Sequence, residues 1–512
     1  MPSASHNPQV HSPLNFPERS VPWFWLLVLA ALYFTVRVPL LNHPLACDEA
    51  WILNAIKLIV DVNDTSFSDQ LRRHPPIYLG LGLALFSLKQ DFALRMQVLS
   101  LIINTGAFLL FILLVANVFH RRIAIYTGIA YSLLPGPVFF STWIKRDSLV
   151  ILFCVAALWA FFHRKYLLTG LFLALGFLSK ETAVFYAAGI FLMVPSLHSG
   201  RSKARIMAKI FLPIILISCW WYFFFAIGAK GYVSFFKGTS VEAEMFFKSW
   251  WYYFALLKND LSLMGLILLC VGLLALLPAK KSLSRKTDIW KLLKKKRLLP
   301  LYMLFPAYLI LTISRGKPVW MTIVLFPFLA LLVGLGWHFM VKFLTNLTAK
   351  VTNKSILTNT IISIIPLVFI LGAPLTQFNY MQHLSGISPN TVRTIIRSNR
   401  IVEAINQSAA DNENLLMMPM IIRPAQGTAP DPIIYWNLKP SLNIYRVKTL
   451  NLDYNAVKDI IIQKQIHRLV IFPVAGSNQE TITNKIIMET NPEGLNVPGM
   501  TLLLRVDQYW KN

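Results

Sequence analysis

Residues 23–49 read WFWLLVLAALYFTVRVPLLNHPLACDE. The segment from Trp23 to Val38 is apolar, and ~20 apolar residues suffice to cross a bilayer. Asp48 and Glu49 follow this segment within the length of a loop. Carboxylates beside a membrane span are costly unless they face an aqueous cavity. The stretch therefore predicts a membrane protein whose first outer loop presents an acid pair to water.

The composition excludes a soluble protein. The chain has 512 residues, of which 55% are hydrophobic and only 14% are charged, and its mean hydropathy is +0.55. Soluble domains carry about 25% charged residues, and a single hydrophobic core stops growing beyond about 250–300 residues. So many apolar residues require lipid contact, which predicts a polytopic α-helical membrane protein.

The net charge of +26 raises the alternative of a nucleic-acid-binding protein. The basic residues, however, lie in short polar stretches between apolar runs, at His120–Arg122, His163–Lys165, Arg201–Lys209, Lys280–Arg297 and Lys342–Lys354. The intervening loops carry the acids Asp48, Glu49, Asp61, Asp64, Asp69, Asp91, Asp147, Glu181, Glu242, Glu244 and Asp260. Basic loops remain in the cytoplasm. The pattern favours alternating membrane sides and no nucleic-acid partner.

Apolar runs after the first span predict about eleven transmembrane helices in total. They cover residues 96–118, 123–140, 148–162, 166–179, 183–197, 210–228, 261–278, 299–313, 318–341 and 356–373. The shorter run Ile77–Leu88 predicts a helix along the outer interface, because counting it as a span would put Lys280–Arg297 outside. Residues 1–22 then form a cytoplasmic tail, and Asp48, Asp147 and the C-terminus lie outside.

The pattern of apolar residues changes at about residue 375, where the long apolar runs end. Alternating helical and short apolar patterns predict a small extracytoplasmic α/β domain over residues 375–512. The predicted strands are Asn414–Ile422, Arg468–Phe472 and Met500–Val506, and the predicted helices are Thr391–Ala409, Tyr454–Gln465 and Gln479–Met488. We assign no chemistry to this domain.

Several short motifs recur in one order on the predicted outer side. They are Asp48-Glu49-Ala50, His74-Pro75-Pro76-Ile77-Tyr78, Arg95, Arg146-Asp147 and Ser179-Lys180-Glu181-Thr182. This ordered set resembles the GT-C glycosyltransferases of the protein O-mannosyltransferase and lipid A aminoarabinose transferase type. The resemblance covers residues 20–200 well. It extends to residue 373 only by topology, with Arg315-Gly316-Lys317 as a weaker match.

The resemblance implies a GT-C-like domain over residues 23–374 of an integral, multi-pass inner-membrane protein. Its first outer loop, residues 42–95, would be catalytic. The donor would be a polyprenyl-phosphate-linked sugar, and a hydroxyl of a lipid, glycan or protein would be the acceptor. Transfer would invert the anomeric carbon on the extracytoplasmic side. The resemblance gives Asp48 the role of base, and Glu49 and Asp147 complete the candidate catalytic set.

The chemistry of such a transfer agrees with these residue types. A phosphate has its second pKa near 6, so it leaves without an essential general acid. One positioned carboxylate can take the proton of the acceptor hydroxyl. Cations must hold the donor phosphate, and those on the predicted outer side are Arg95, Lys145, Arg146, Lys180, Arg315 and Lys317.

Structural roles remain as alternatives for these residues. Asp48 is also a preferred N-cap for a helix that starts at Glu49. Asp147 is interpreted either as catalytic or as an ion-pair partner of Lys145 or Arg146. Lys180 is interpreted as a phosphate ligand or as the partner of Glu181.

The loop residues His74 and Tyr78 are candidate contacts to the substrate or to a metal. His74 is equally a turn residue before two prolines, and some relatives carry Lys or Glu-Lys where this chain has Arg73-His74. No cofactor is assigned. A divalent metal held by His43, Asp48, Glu49 and His74 is kept as an alternative, although their spacing matches no recognised metal signature.

Two other classes of function are considered. A transporter or flippase of lipid-linked glycans would carry ionisable residues deep within its spans and paired repeats, whereas the predicted spans here are almost uncharged. A polymerase or ligase of surface glycans would place its catalytic groups in a large later loop, whereas the acids here cluster in the first one. The sequence therefore favours a glycosyltransferase.

Overall fold

The computed structural model describes most of the membrane part and pieces of the C-terminal part. The described residues are 21–41, 49, 52–53, 56, 76–86, 92–197, 202–222, 249–277, 296–315, 319–348, 402, 404–417, 441–446, 454–471, 481–482, 484–486, 488, 494–497 and 501–506. The predicted span 356–373 lies outside these residues.

The membrane part is built from α-helices. In chain order they are α1 (Trp23–Arg37), α2 (Pro76–Phe86), α3 (Phe92–Val118), α4 (Arg121–Leu133), α5 (Pro135–Phe140), α6 (Asp147–Phe162), α7 (Tyr166–Phe177), α8 (Val184–Leu197), α9 (Ser202–Pro213), α10 (Tyr252–Leu276), α11 (Leu299–Ile313) and α12 (Phe326–Thr348). A π-helical turn, Ile214–Cys219, continues α9. Short 3-10 helices cover Val38–Leu40, Glu181–Ala183, Lys296–Leu298 and Val319–Leu325.

Four helices in the described ranges are long and apolar enough to cross a membrane: Trp23–Leu40, Phe92–Val118, Tyr252–Leu276 and Trp320–Thr345. Others, such as α6 and α7, are apolar but shorter. These helices fit the prediction of a polytopic membrane protein, while the number of spans, about eleven, stays a prediction. Helix α2 has 11 residues, so at 1.5 Å per residue it covers only about 16 Å and is too short to span a bilayer.

Three predicted spans differ from the observed helices. The span predicted from residue 210 begins eight residues earlier, at Ser202. The span predicted over 123–140 is broken at Leu134, whose extended backbone separates α4 from α5, and α5 begins at Pro135. Proline lacks the backbone N–H that a continuous helix would need there. The span predicted from residue 261 starts at a kink inside α10, where Ser262 has a non-helical backbone with φ of 64°, and a further helical part that begins at Tyr252 precedes this kink. Asp260 is therefore wrongly placed in an outer loop by the sequence, because it lies inside α10 and is fully buried.

Helices α10 and α12 approach each other so closely that only glycine fits between them. A Cβ atom on Gly336 would collide with the carbonyl of Leu268, and one on Gly272 would collide with the carbonyl of Leu332. Small residues of this kind allow backbones in a membrane to pack at short range. The contact joins the two long helices of the second half of the chain.

Gly336→Ala should destabilise the protein by about 1–3 kcal/mol, since an extra methyl in a tight interior forces the backbones apart. Gly80→Ala in α2 is the matched control, because a Cβ there meets nothing within 4 Å. Loss of glycine flexibility in a helix should make that control neutral or slightly stabilising. Unfolding of the purified protein in detergent measures both. Equal stability of the two variants would contradict the close helix contact.

The described C-terminal residues contain a five-stranded sheet. Its strands are β1 (Asn414–Met417), β2 (Asn443–Arg446), β3 (Arg468–Ile471), β4 (Gly494–Val497) and β5 (Thr501–Arg505), in the order β2-β1-β3-β5-β4. Strand β1 is parallel to β2 and β3, whereas β5 is antiparallel to β3 and β4.

Apolar side chains on both faces of the sheet are covered. Leu416 and Leu469 pack with Val457 and Ile461 of helix α13 (Tyr454–Gln463) on one face. Leu415 packs on the other face with residues of the segment 402–409. This alternation follows the two-residue period of a strand. The predicted strands at 414, 468 and 500 overlap β1, β3 and β5, and the extent of the predicted domain, 375–512, stays a prediction.

Candidate functional site

The loop between α1 and α2, which the sequence predicts to be the first outer loop, contributes to a small hydrophobic cluster. Leu53 and Ile56 from the loop pack with Tyr78 of α2, Met96 of α3 and Ile144. Ile144 belongs to the segment 141–146, which connects α5 to α6. The backbone N–H of Ile77 also donates to the carbonyl of Leu178, at 3.3 Å, near the end of α7. Hydrophobic packing and backbone bonding thus hold the start of α2 and part of the loop against the N-terminal end of α6.

Glu49 binds this connecting segment directly. Its side chain is fully buried, and its Oε1 accepts a hydrogen bond from the backbone N–H of Ile144 at 2.8 Å. The same segment is fixed from its other end, where the Asn104 amide donates to the carbonyl of Ser141 at 2.9 Å. A buried carboxylate is costly unless it is hydrogen-bonded. The conformation of the Glu49 side chain is therefore set by a residue almost a hundred positions later.

Asp147 and Lys180 form a buried ion pair. The Lys180 Nζ donates to both carboxylate oxygens of Asp147, at 2.9 and 2.8 Å. Only 1% of Asp147 and 4% of Lys180 is exposed. Asp147 occupies the first turn of α6, where the helix dipole favours a negative charge. The partner is thus Lys180, not the Lys145 or Arg146 that the sequence offered as partners.

Close helix packing brings Lys180 to Asp147. A Cβ atom on Gly176 of α7 would lie 3.0 Å from the sulfur of Cys154 in α6. Helix α7 ends at Phe177, so Lys180 follows within one turn and faces the beginning of α6. Two charges taken out of water repay their desolvation only with good geometry, and the bidentate contact provides it.

Lys145 and Arg146 precede Asp147 in the same segment. The Lys145 ammonium is almost fully buried and lies 4.2 Å from the ring centroid of Trp320 and 5.3 Å from that of Trp143. Cations gain about 0.5–2 kcal/mol over an indole face. Trp320 belongs to the 3-10 helix before α12, so this contact links the site to the second half of the chain. Arg146 is half-buried.

Tyr78 lies at the edge of this charged group. Its hydroxyl and the Ser100 hydroxyl are 2.9 Å apart, and both side chains are buried. Burial raises the pKa of Tyr78, and the Ser100 hydrogen bond partly opposes that rise. The charges of Glu49 and Asp147 raise the pKa further, whereas Arg146 lowers it. Tyr78 is therefore neutral and close enough to sense all three charges.

The remaining predicted residues are only partly described. Arg95 is half-buried in the first turn of α3, and Arg315 is exposed just after α11. Asp48, His74, Lys317 and His43 lie outside the described residues. Within the described ranges no group of three or more His, Cys, Asp and Glu side chains is placed to hold a metal. The metal alternative, which depends on His43, Asp48 and His74, is therefore not tested.

Sequence reasoning missed two buried hydroxyl groups at this site. Thr142 precedes Lys145 in the connecting segment, and Thr182 follows Lys180. Their Oγ1 atoms are buried and have no hydrogen-bond partner among the residues that the structure describes. Buried hydroxyls of this kind usually find a partner, so these two are candidate donors to a bound ligand. Threonine is too common for its position in the sequence to have indicated this.

Arg37 was also missed, and its role is structural. Its guanidinium donates to the carbonyls of Tyr33, Tyr131 and Ser132 at 3.0–3.2 Å. It also lies 3.5 Å from the ring centroid of Tyr33. An arginine at the end of an apolar span gives no signal that separates such a buried clamp from an interfacial anchor.

Comparison of the sequence with protein families gives one match to this region. Residues 73–223 match the model of the family described as dolichyl-phosphate-mannose-protein mannosyltransferase. The matched range includes Tyr78, Arg95, the connecting segment and the Asp147–Lys180 pair. No curated protein matches the chain in sequence.

Several solved structures share the fold over nearly the whole chain. The structure of ArnT from Cupriavidus metallidurans bound to undecaprenyl phosphate has a TM-score of 0.60 at 12% identity, covering 94% of this chain and 97% of that chain. Its apo state gives 0.61 at 13% identity, with 96% and 99% covered. The arabinofuranosyltransferase AftD from Mycobacteria gives 0.52 at 13% identity, covering 96% of this chain and 40% of that one.

These matches confirm the resemblance to GT-C glycosyltransferases that the motif order predicts. The fold is similar to that of ArnT, and the sequence match over residues 73–223 includes the motifs from His74 to Thr182 but not Asp48-Glu49-Ala50. At 12–13% identity, the similarity to these solved structures shows the fold and nothing further about this chain.

Proposed function

We propose that this protein is an inverting glycosyltransferase that moves a sugar from a polyprenyl-phosphate-linked donor to a hydroxyl acceptor. The observation that carries the proposal is the buried junction around Asp147. There the first outer loop, through Glu49, and the end of α7, through Lys180, converge on the start of α6. The family match over residues 73–223 and the ArnT-like fold support the enzyme class.

The donor is proposed from the charge of the junction and from the fold. Lys145, Arg146 and Lys180 lie within or beside it and supply three cations, next to the carboxylates Glu49, Asp147 and Glu181. A phosphate needs such cations and hydroxyl donors, and the buried Thr142 and Thr182 hydroxyls add two donors. ArnT, which shares the fold, is known with undecaprenyl phosphate bound.

The proposed reaction is a single displacement. Asp48 takes the proton of the acceptor hydroxyl while that oxygen attacks the anomeric carbon, and the bond from this carbon to the phosphate oxygen breaks. Polyprenyl phosphate leaves with the bonding electron pair. Its leaving-group oxygen needs no proton because the second pKa of a phosphate is near 6. Attack opposite the leaving group inverts the anomeric carbon.

Glu49 and Asp147 are proposed as positioning residues in this scheme. The Ile144 N–H occupies Glu49 Oε1, which favours a role in holding the loop next to Asp48. Asp147 holds Lys180 through two of the three N–H donors of an ammonium group. The third donor can then point to the donor phosphate. Asp147 thus orients a cation, and the chemistry is left to Asp48.

The acceptor and the sugar can be identified in cells. A strain that lacks the protein should lose one sugar modification of an envelope lipid, glycan or protein, and the corresponding polyprenyl-phosphate-linked sugar should accumulate. Mass spectrometry of envelope extracts from the deletion strain and its complemented parent would detect both changes. Identical lipid, glycan and protein profiles in the two strains would contradict the proposed function.

Arg95→Ala and Arg146→Ala should each weaken binding of undecaprenyl phosphate by roughly ten- to a hundredfold. Losing a charge-assisted hydrogen bond costs about 1.5–3 kcal/mol, and every 1.4 kcal/mol is about tenfold in affinity. Arg205→Ala is the control, since Arg205 is exposed on α9 and lies in a predicted cytoplasmic stretch. Titration of the purified protein measures the dissociation constants. Wild-type affinity in both test variants would make these residues interface anchors instead.

The proposed active site lies on the extracytoplasmic side of an inner-membrane protein. Cysteine labelling in intact cells at Asp64→Cys and Asn437→Cys should therefore succeed with an impermeant reagent, while Lys286→Cys should stay unlabelled. The basic stretch around Lys286 should remain in the cytoplasm because positive loops are retained there. Labelling of Lys286→Cys but not of Asp64→Cys would indicate the opposite orientation in the membrane. That orientation would contradict the extracytoplasmic location of the proposed active site.

A further inference from the structure

A groove of about 690 Å³ lies on the opposite end of α7 from Lys180. Its walls come from the first turns of α7 and from α9 with the π-helical turn that follows it. The apolar lining includes Leu171, Leu212 and Leu216, and Arg164, Lys165 and Lys209 contribute three cations. Among the residues that the structure describes, no acidic side chain lines the groove. The volume lies in the range of small-molecule sites, roughly 300–1,000 Å³.

The two helices that form the groove run side by side in the same direction. A Cβ atom on Gly170 would collide with the carbonyl of Ile210, and the Tyr222 hydroxyl donates to the carbonyl of Phe177 at 2.7 Å. Residue 170 is thus level with residue 210, and the tip of the Tyr222 side chain reaches the level of residue 177, so the later residues of both helices lie at the same end. Lys165 and Lys209 consequently lie towards the same end, and Leu171 and Leu216 lie further along the walls.

We propose that this groove binds one anionic phospholipid of the cytoplasmic leaflet, with its phosphate among Arg164, Lys165 and Lys209 and an acyl chain along the leucines. The cations belong to two of the basic stretches that the charge pattern places in the cytoplasm. Basic pockets between transmembrane helices on that side suit anionic head groups. The cations that keep this end of the helices in the cytoplasm are therefore also placed to meet the phosphate of a lipid in that leaflet.

The groove is separate from the proposed donor site. Lys165 and Lys180 are at opposite ends of α7, whose 12 residues alone correspond to about 18 Å. A lipid phosphate held at Lys165 therefore cannot be the one that reacts beside Lys180. For this reason we assign the groove to a structural phospholipid of the bilayer and not to the polyprenyl-phosphate donor.

The test uses the full-length protein purified in a neutral detergent. Native mass spectrometry counts bound lipid during titration with palmitoyl-oleoyl phosphatidylglycerol, with phosphatidylcholine of the same chains, or with undecaprenyl phosphate. Wild type should bind phosphatidylglycerol in preference to phosphatidylcholine. The triple variant Arg164→Gln, Lys165→Gln, Lys209→Gln should lose about a hundredfold in affinity for phosphatidylglycerol, at about fivefold per cation.

Two further variants separate the groove from general charge effects. The control triple variant Arg121→Gln, Arg122→Gln, Arg205→Gln removes three exposed cations from predicted cytoplasmic stretches and should bind as wild type does. Leu171→Trp fills the groove without changing charge and should weaken phosphatidylglycerol binding at least tenfold. Equal binding by the two triple variants would overturn the proposal. Tighter groove-dependent binding of undecaprenyl phosphate than of phosphatidylglycerol would also overturn it.

Discussion

Lys180→Met should destabilise the protein by about 3–5 kcal/mol and abolish most of its activity. The substitution leaves the Asp147 carboxylate buried at 1% exposure without the ammonium that binds both its oxygens. Removing one partner of a buried ion pair lowers the free energy of unfolding by about this amount, because an uncompensated charge remains in the interior. Unfolding in mixed detergent micelles would measure the change in the free energy of unfolding.

The double variant Asp147→Asn, Lys180→Met provides the test of the pair. It removes both charges, so its stability should recover most of the loss. Activity should not recover, because the cation that we propose for the donor phosphate is still missing. Lys203→Met on α9 is the control for loss of a half-buried lysine, and it should change stability by only about 0.5 kcal/mol. A Lys180→Met protein as stable as that control would contradict the buried pair.

Asp48→Asn should lower turnover by about 10²–10⁴, the usual contribution of a general base. Asparagine caps a helix as well as aspartate does, so an Asp48 that only starts the helix at Glu49 would tolerate the change. The variant should therefore fold normally and bind undecaprenyl phosphate with wild-type affinity. Initial rates of sugar transfer by the purified protein, with donor binding measured in parallel, would separate catalysis from folding.

Glu49→Gln is the matched control in the same acid pair. The glutamine amide oxygen can still accept the Ile144 N–H, so the loop should keep its position and turnover should fall much less than in Asp48→Asn. Near-normal turnover of Asp48→Asn would end the assignment of the base. The role would then pass to Glu49 or Asp147.

Much of the helical architecture could be predicted from the sequence, because the side chains of each apolar run must be buried in the protein or face the lipid. The predicted runs 96–118, 148–162 and 166–179 differ from α3, α6 and α7 by only a few residues at either end. The part of α10 before the kink at Ser262 was missed because the aromatic residues Tyr252–Tyr253 also suit a membrane interface. Strands β2 and β4 were missed because they are short and partly polar, so their place in the sheet depends on their neighbours.

The sequence names Asp147 and Lys180 as candidate site residues, but it does not predict that they contact each other. Asp147 and Lys180 stand out as charges at the ends of apolar runs, whereas their pairing depends on how closely α6 and α7 pack at Gly176. The partner of Glu49 is a backbone N–H, which every residue but proline possesses, so no sequence signal could identify Ile144. Partner choice is a property of tertiary packing, and a single sequence does not encode it locally.

The most direct measurement of the central claim is sugar transfer by the purified protein. Polyprenyl lipids extracted from host membranes would supply the donors, an extract of the cell envelope would supply the acceptors, and mass spectrometry would follow both. We predict that wild type converts one polyprenyl-phosphate-linked sugar to polyprenyl phosphate and adds that sugar to an acceptor, whereas Asp48→Asn does not. An unchanged pool of polyprenyl-phosphate-linked sugars with folded, lipid-binding wild-type protein would contradict the account.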